Sequence, residues 1–377
     1  MQISPKQAIL IGTSLGDNPV QLHFAALGGE LAERGYSVSL LVHGVRREDQ
    51  YVNPRIELLH WPSPRPTRLA DALFFDRLVV RHRPGCLISN FGSTNIMMIV
   101  GTLRRVPIRV HWYHTLSSQI DLDTPHSQRL YLWLVRQRAR LVYKCVTHSV
   151  ANSAAARLDL GATFGVPEQK SIVFANSLRD PIANGAIVSE STTTSSSRFL
   201  CVGRFAWSKG QDVVVRAVAE VVRRDLDISV EFVGDGPTRE SCQRLAGELG
   251  VQNHCLFSGK VPHTEVLEKM RQAWATLVPS RCEAFGLVNI ESMAVGTPVV
   301  GSATGGIVEI VRDGVDGLLF KPEDSLALAG CLIKLAKNRG LRSQMSTCCR
   351  QRFIYKYEQG RTVTLQSEWL DKLIQGS

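Results

Sequence analysis

Pro279-Ser280-Arg281-Cys282-Glu283-Ala284-Phe285-Gly286-Leu287-Val288-Asn289-Ile290-Glu291-Ser292-Met293-Ala294-Val295-Gly296-Thr297-Pro298 is the stretch from which the rest of the chain is read. The apolar run at 275–278 predicts a strand ending in a Pro-Ser turn, followed by a helix that begins near Leu287 and stops at Gly296. The amides of the first helical turn, around 285–288, then point out of the carboxyl end of a strand. With the positive end of the helix dipole they suit a phosphate. Glu283 on the loop and Glu291 one turn after Leu287 bracket those donors. A carboxylate aimed at a diphosphate would be repelled, so both glutamates suit neutral hydroxyl donors. Phosphate in the middle with a polyol on each side describes a sugar nucleotide.

The chain has 377 residues, more than one ordinary core, which predicts two domains. Apolar content of 44% and charged content of 21% are those of a soluble globular protein. No apolar run reaches the length of a membrane span, and the N-terminal pattern is a poor signal peptide. The cysteine count is odd, at nine, and there is no Cys-x-x-Cys pair, so reduced thiols in a cytoplasmic protein are expected and no metal site is read. The net charge of +10 is uneven, since residues 1–183 hold 21 Lys+Arg against 13 Asp+Glu. That half either faces an anionic partner or carries an ordinary solvated basic face. No RNA-binding aromatic signature is present, so nucleic acid is not expected and an anionic membrane surface is the remaining partner.

The first half alternates strand patterns, at 7–13, 37–42, 56–60, 86–90, 108–112, 149–152 and 171–175, with helical ones. Such alternation implies βαβ units and a parallel sheet, with ligands off the carboxyl ends of the strands. Gly16, His114 and Asn176 fall at such ends and could line one cleft. Gly16 is either a turn residue or a place where a ligand approaches backbone closely. His111 and His114 sit at a strand end, where His114 is the better placed of the two for function. In the helix predicted at 127–146, Leu130, Leu134, Leu141 and Cys145 share one stripe. Arg129, Arg136, Arg140 and Lys144 share another, with Trp133 among them. This pattern suits an anionic bilayer surface, and it equally suits a half-buried helix whose arginines snorkel to water.

The polar run at 189–197 reads as a linker or loop. Beyond it the pattern restarts, with a strand at 198–202 and then Gly203-Arg204-Phe205-Ala206-Trp207-Ser208-Lys209-Gly210. Arg and Lys after a glycine at a strand end suit a diphosphate, Arg as a fork and Lys as a point charge. Gly234-Asp235-Gly236-Pro237 and Gly259-Lys260-Val261 follow further strands. Gly305-Gly306 opens a helix at 307–312 and offers a second anion-compatible terminus.

Taken in order, Gly203-Arg204…Lys209-Gly210, Gly234-Asp235-Gly236-Pro237, Gly259-Lys260-Val261, Glu283…Glu291 and Gly305-Gly306…Glu309 resemble the retaining, nucleotide-sugar-dependent glycosyltransferases of family 4 (group 1). The two glutamates are similar to the family's EX7E motif. The resemblance is strong over 198–325. It is looser over 1–183, where the Gly16 loop, His114-Thr115 and Val150-Ala151-Asn152-Ser153 match, and Ala175-Asn176-Ser177 stands in place of the family's Asn-Gly.

The resemblance implies an α/β protein of the GT-B fold, with two Rossmann-like parallel-sheet domains facing across a cleft. The expected boundaries are 1–183 for the acceptor-side domain, 184–197 for the linker and 198–353 for the nucleotide-sugar domain, with 354–377 rejoining the first. It further implies that Arg204, Lys209 and the backbone from Ala284 through Phe285, Gly286 and Leu287 to Val288 hold the donor diphosphate. Glu283 would hydrogen-bond the transferred sugar, Glu291 the ribose, and Lys260-Val261 would meet the base. His114 and the Gly16 loop would close on the sugar. No metal or other cofactor is implied, and the nucleotide-diphosphate sugar is a co-substrate. The acceptor would be a glycan or a lipid-linked molecule of cell-surface synthesis, reached on the cytoplasmic face of the membrane. The alternatives are a non-catalytic nucleotide-sugar-binding subunit, or a GT-B enzyme of another reaction type such as an epimerase or a phosphorylase. The four charged site residues speak against the first of these.

Overall fold

Aliphatic runs without polar alternation, such as Ile9-Leu10-Ile11 and Val299-Val300, mark strands covered on both faces, and all five residues are fully buried. The computed structural model describes residues 6–14, 19–43, 53–183, 185 and 198–376, so Gly16 and the expected linker at 184 and 186–197 lie outside the described residues. The strands are β1 Lys6–Ser14, β2 Tyr36–His43, β3 Glu57–His60, β4 Cys86–Asn90, β5 Ile108–Tyr113, β6 His148–Ala151, β7 Ser171–Val173, β8 Arg198–Val202, β9 Ser229–Val233, β10 Cys255–Gly259, β11 Thr276–Val278, β12 Val299–Ser302 and β13 Gly317–Phe320. They form two parallel sheets, in the orders β3-β2-β1-β4-β5-β6-β7 and β10-β9-β8-β11-β12-β13. Counted from its own first strand, the second sheet runs 3-2-1-4-5-6, the doubly wound order, and the first runs the same with a seventh strand beyond the sixth. The winding reverses between β1 and β4 in one sheet and between β8 and β11 in the other, and ligands of such sheets bind beyond the strand ends at that reversal.

The chain divides into two units. One is Met1–His114, Pro125–Ser177 and Gln359–Ser377, and the other is Thr115–Thr124 and Leu178–Glu358. These bounds differ from the sequence expectation at three places. Thr115–Thr124 packs with the second unit, which begins at Leu178, and the chain returns to the first at Gln359. The reason is visible in the bonding. Leu178 N donates to Tyr357 O at 3.0 Å, Leu178 and Glu358 form a parallel bridge, and Arg350 meets Asp180 at 2.5 Å. The C-terminal part of the chain is two helices, Arg339–Lys356 and Gln359–Gln375, separated at the buried Tyr357.

Leu10, Leu41, Phe75, Leu87 and Met97 lie in the core of the first unit, and Phe199, Val214, Phe232, Leu277 and Leu328 in that of the second; all ten are fully buried. Each such side chain contributes roughly 1.5–3 kcal/mol of burial free energy. Val213-Val214-Val215 is a poor helix former, yet it sits in the helix Gln211–Val222 because that helix packs against Ser325–Lys337 and the sheet. The helix Arg129–Tyr143 is the opposite case, with Val142 as its one buried residue, so the half-buried reading of its apolar stripe does not hold.

Candidate functional site

At the reversal of the second sheet, two loops leave adjacent strand ends, one after β8 and one after β11. They are tied together at Ser208, which is fully buried. Its carbonyl accepts from Arg281 N at 2.8 Å, while its own N–H and hydroxyl donate to Asp123 at 2.9 and 2.8 Å. The next residue is Lys209, whose Nζ donates to Glu283 Oε2 at 2.6 Å. Ser280 Oγ donates to the same oxygen at 3.1 Å. Arg281 anchors the second loop from behind, bonding Asp212 and Glu323 at 2.8 and 2.6 Å with its guanidinium stacked 3.7 Å over Trp207. Two residues assigned separate tasks from sequence are therefore in direct contact, with Glu283 only 7% exposed.

The loop then enters the helix Leu287–Ala294 through Gly286, whose φ of 87° is left-handed. That φ favours glycine, and a β-carbon there would lie 2.3 Å from the side-chain nitrogen of Asn289 and displace it. The amides of Phe285, Gly286, Leu287 and Val288 have no protein acceptor among the described residues, as expected at the start of a helix. Gly305-Gly306 is a different matter from the second anion terminus expected of it. Its helix, Ile307–Ile310, is a single turn, and Gly306 N already donates to Glu283 O at 2.9 Å. A β-carbon on Gly305 would sit 2.0 Å from that same carbonyl. The pair is a close-packed support for the Glu283 backbone.

In the same unit, Gly203, Arg204, Asp235, Lys260 and Val261 line a cavity of about 620 Å³. Arg204 and Lys260 are exposed. Glu291, 6% exposed, receives His263 Nε2 at 3.0 Å. His263 and Asp123 are site residues that sequence reasoning missed. The first had a faint signal in Val261-Pro262-His263, directly after the expected base contact, and the second had none. Among the described residues no three His, Cys, Asp or Glu side chains cluster so as to hold a metal ion.

In the first unit, His114 follows β5 between Phe91, stacked at 5.0 Å, and Phe24, edge-on at 6.2 Å. Phe91 holds a φ of 44°, a costly conformation for an aromatic residue. Both His114 ring nitrogens are buried, and burial, with His23 nearby, pushes its pKa down to about 3 against the opposing effect of a hydrogen bond with Asn176. Burial likewise lowers His111 to about 3 and His23 to about 4, the latter bridging Ser177 and Gln366 at 2.8 Å each. All three are neutral at physiological pH. An unfolded histidine takes up its proton near 6.5, far above these values, so acid favours the unfolded chain. The stability of the first unit should be full above pH 6.5 and fall by roughly 2 kcal/mol per histidine by pH 5. Melting temperatures measured across that range test this, and a flat profile would contradict it.

The second unit thus gathers Arg204, Lys209, Lys260, Val261, Ala284 through Val288 and Glu283 with Glu291, and His114 stands in the first.

Residues 189–352 match the family model for glycosyl transferases group 1, and residues 20–178 match that for Glycosyltransferase Family 4. The chain is 38% identical over 155 residues to the D-inositol 3-phosphate glycosyltransferase of Acidothermus cellulolyticus, a match taking in 39% of this chain and 34% of that protein. It is 36% identical over 132 residues to the GDP-mannose-dependent alpha-(1-6)-phosphatidylinositol monomannoside mannosyltransferase of Mycolicibacterium smegmatis, over 33% and 35% of the two chains. The matched part spans about a third of the length of these curated relatives. Among solved structures, it is similar to a glycosyltransferase from Rickettsia africae, with a TM-score of 0.78 at 16% identity over 99% of this chain and 100% of that one. Sucrose-phosphate synthase from Thermosynechococcus elongatus gives 0.76 at 20% over 99% and 100%, and Anabaena Alr3699/HepE, solved with UDP and glucose, 0.74 at 17% over 97% and 100%. At these identities the likeness speaks for the fold, two Rossmann-like parallel-sheet domains of the GT-B type. With one family model on each half and the doubly wound order in both sheets, the chain belongs to the group 1 glycosyltransferases of family 4.

Proposed function

We propose that the chain moves a sugar of hexose type from a nucleoside-diphosphate donor to a glycan or lipid-linked acceptor, with retention at the anomeric carbon and without a metal ion. The observation that carries this reading is the 2.6 Å Lys209–Glu283 pair set beside four open amides at a sheet reversal. An ammonium and aligned N–H groups suit a leaving diphosphate, and the carboxylate beside them suits a sugar hydroxyl. Lys209 has three N–H donors, so one can stay on Glu283 while others face phosphate. Arg204 adds a fork from the cavity wall, Lys260-Val261 meet the base, and Glu291, steadied by His263, receives the ribose hydroxyls. His114 is a neutral hydrogen-bond partner for the transferred sugar.

The acceptor hydroxyl attacks the anomeric carbon on the face that the diphosphate leaves. The carbon–oxygen bond to phosphate breaks as the new glycosidic bond forms, and the departing phosphate oxygen takes the hydroxyl proton. Glu283 orients the sugar and forms no bond to it. The GDP-mannose named for the mycobacterial relative, and the UDP and glucose solved with Alr3699/HepE, support a nucleotide-sugar donor. No helix among the described residues is long and apolar enough to cross a membrane. A peripheral contact with the anionic cytoplasmic face would bring a lipid-linked acceptor within reach.

The test is a panel of UDP-, GDP-, ADP- and dTDP-sugars with a chelator present, read by thermal shift, nucleoside-diphosphate release and the anomeric signal of the product. One donor should raise the melting temperature by mass action and be turned over with retention. A panel with no response would end the reading, an inverted product would remove retention, and loss of turnover with chelator would remove metal independence.

A further inference from the structure

The helix Arg129–Tyr143 is the most exposed helix of the first unit for its apolar content. Leu130 is 71% exposed, Trp133 55%, Leu134 54% and Leu141 64%. With Gln137, Arg140 and Lys144 these fall at three- and four-residue spacings on one face, opposite the buried Val142. At the C-terminal end of that face a groove of about 620 Å³ opens between this helix and the end of Ala154–Phe164. Arg140, Lys144 and Lys170 line it with Tyr143 and Phe164, and no acidic residue does. Arg140 Nε donates to the Thr163 carbonyl at 2.7 Å, so a guanidinium already meets the negative end of the neighbouring helix. That leaves the exposed Lys144 and Lys170 ammonium groups, neither of them in an ion pair among the described residues.

We propose that this groove takes the phosphate of an anionic phospholipid headgroup, while Leu130, Trp133 and Leu134 enter the acyl boundary and the helix lies in the plane of the bilayer. Charge complementarity selects the occupant, since cations without acids, on the half of the chain that carries most of its net positive charge, require an anion. The exposed Leu130, Trp133 and Leu134 at the other end of the same face require something apolar next to that anion. A lipid surface supplies both at the right separation, acyl chains beside phosphates. The proposal deepens the membrane contact proposed above and rests on it, while sugar transfer is judged separately.

The experiment is cosedimentation of the full chain with vesicles of phosphatidylcholine, with and without phosphatidylglycerol. The wild type should bind the anionic vesicles and leave the neutral ones. The double variant Lys144→Glu/Lys170→Glu should lose affinity by about tenfold or more, and Trp133→Ser/Leu134→Ser by a similar factor. Arg138→Glu, on the same helix but off this face, should lose less than about threefold. All variants should keep the wild-type melting temperature and donor hydrolysis measured without vesicles. Equal losses in the groove variant and Arg138→Glu would reduce the effect to overall charge and overturn the groove. Stabilisation of the wild type by inorganic phosphate with no vesicle binding would overturn the lipid assignment. Neither result touches donor hydrolysis.

Discussion

Replacing Glu283 by Gln should lower the turnover of sugar transfer by about 10²- to 10³-fold, the loss typical of removing one preorganised electrostatic group from an active site. The amide has the size of the carboxylate and keeps one oxygen toward Lys209 and Ser280, so the loop has no cause to move. What disappears is the charge that holds the lysine at 2.6 Å and that is proposed above to grip a sugar hydroxyl. Lys209 is partly exposed, at 26% of its side chain, and can turn its ammonium to water, so the variant should melt within a few degrees of wild type. Initial rates of nucleoside-diphosphate release, with donor affinity by calorimetry, separate the two effects. Turnover equal to wild type would remove Glu283 from the chemistry.

Lys209→Ala should cost about 1.5–3 kcal/mol of donor affinity, a factor of roughly 10–150, as one charge-assisted bond to the diphosphate is lost. Unlike the glutamine substitution it should also destabilise the protein without donor. It leaves the Glu283 carboxylate buried with Ser280 alone, and a buried charge deprived of its partner is costly. Arg204→Ala is the informative contrast. Arg204 is exposed on the cavity wall, so its removal should weaken donor binding by a similar factor and leave the melting temperature unchanged. Calorimetry that found the same donor affinity in Lys209→Ala and wild type would dismiss the diphosphate assignment. If both variants lost stability equally, the difference drawn here between a supporting and a surface cation would be wrong.

What could be read beforehand follows the range of the interactions. Strands and their carboxyl ends are local, so Arg204, Lys209, Lys260 and Glu283 could be placed at strand ends from short apolar runs and the glycines after them. The bond from His263 to Glu291 spans 28 residues and that from Ser208 to Asp123 spans 85, so neither pairing is set by a local pattern, even where His263 itself stood next to an expected contact. The helix Arg129–Tyr143 shows another limit. Periodicity gives its two stripes, yet whether leucines face a core or solvent depends on what packs against them. The break at Tyr357 is marked only by Gly360, which lies inside the next helix, while the Tyr357 ring is buried and its carbonyl accepts from Leu178 N at the break itself. Gly305-Gly306 looked like an anion terminus because glycine opens a helix and also permits close backbone packing, and sequence alone does not separate the two.

The bond from Asp123 to Ser208 also bears on how the molecule is made. A ribosome releases Thr115–Thr124 long before the loop that needs it, and it releases Gln359–Gln375 after every strand of either sheet. The second unit can therefore close once Glu358 has been made, while the first must wait for the last helix. Cutting the gene at the Ser/Thr run to express the latter half alone would yield a polypeptide without Asp123, with the Ser208 N–H and hydroxyl stripped of their acceptor and the lysine beside them less firmly held. Supplying the missing decapeptide as a separate molecule is the complementation that such a fragment would need.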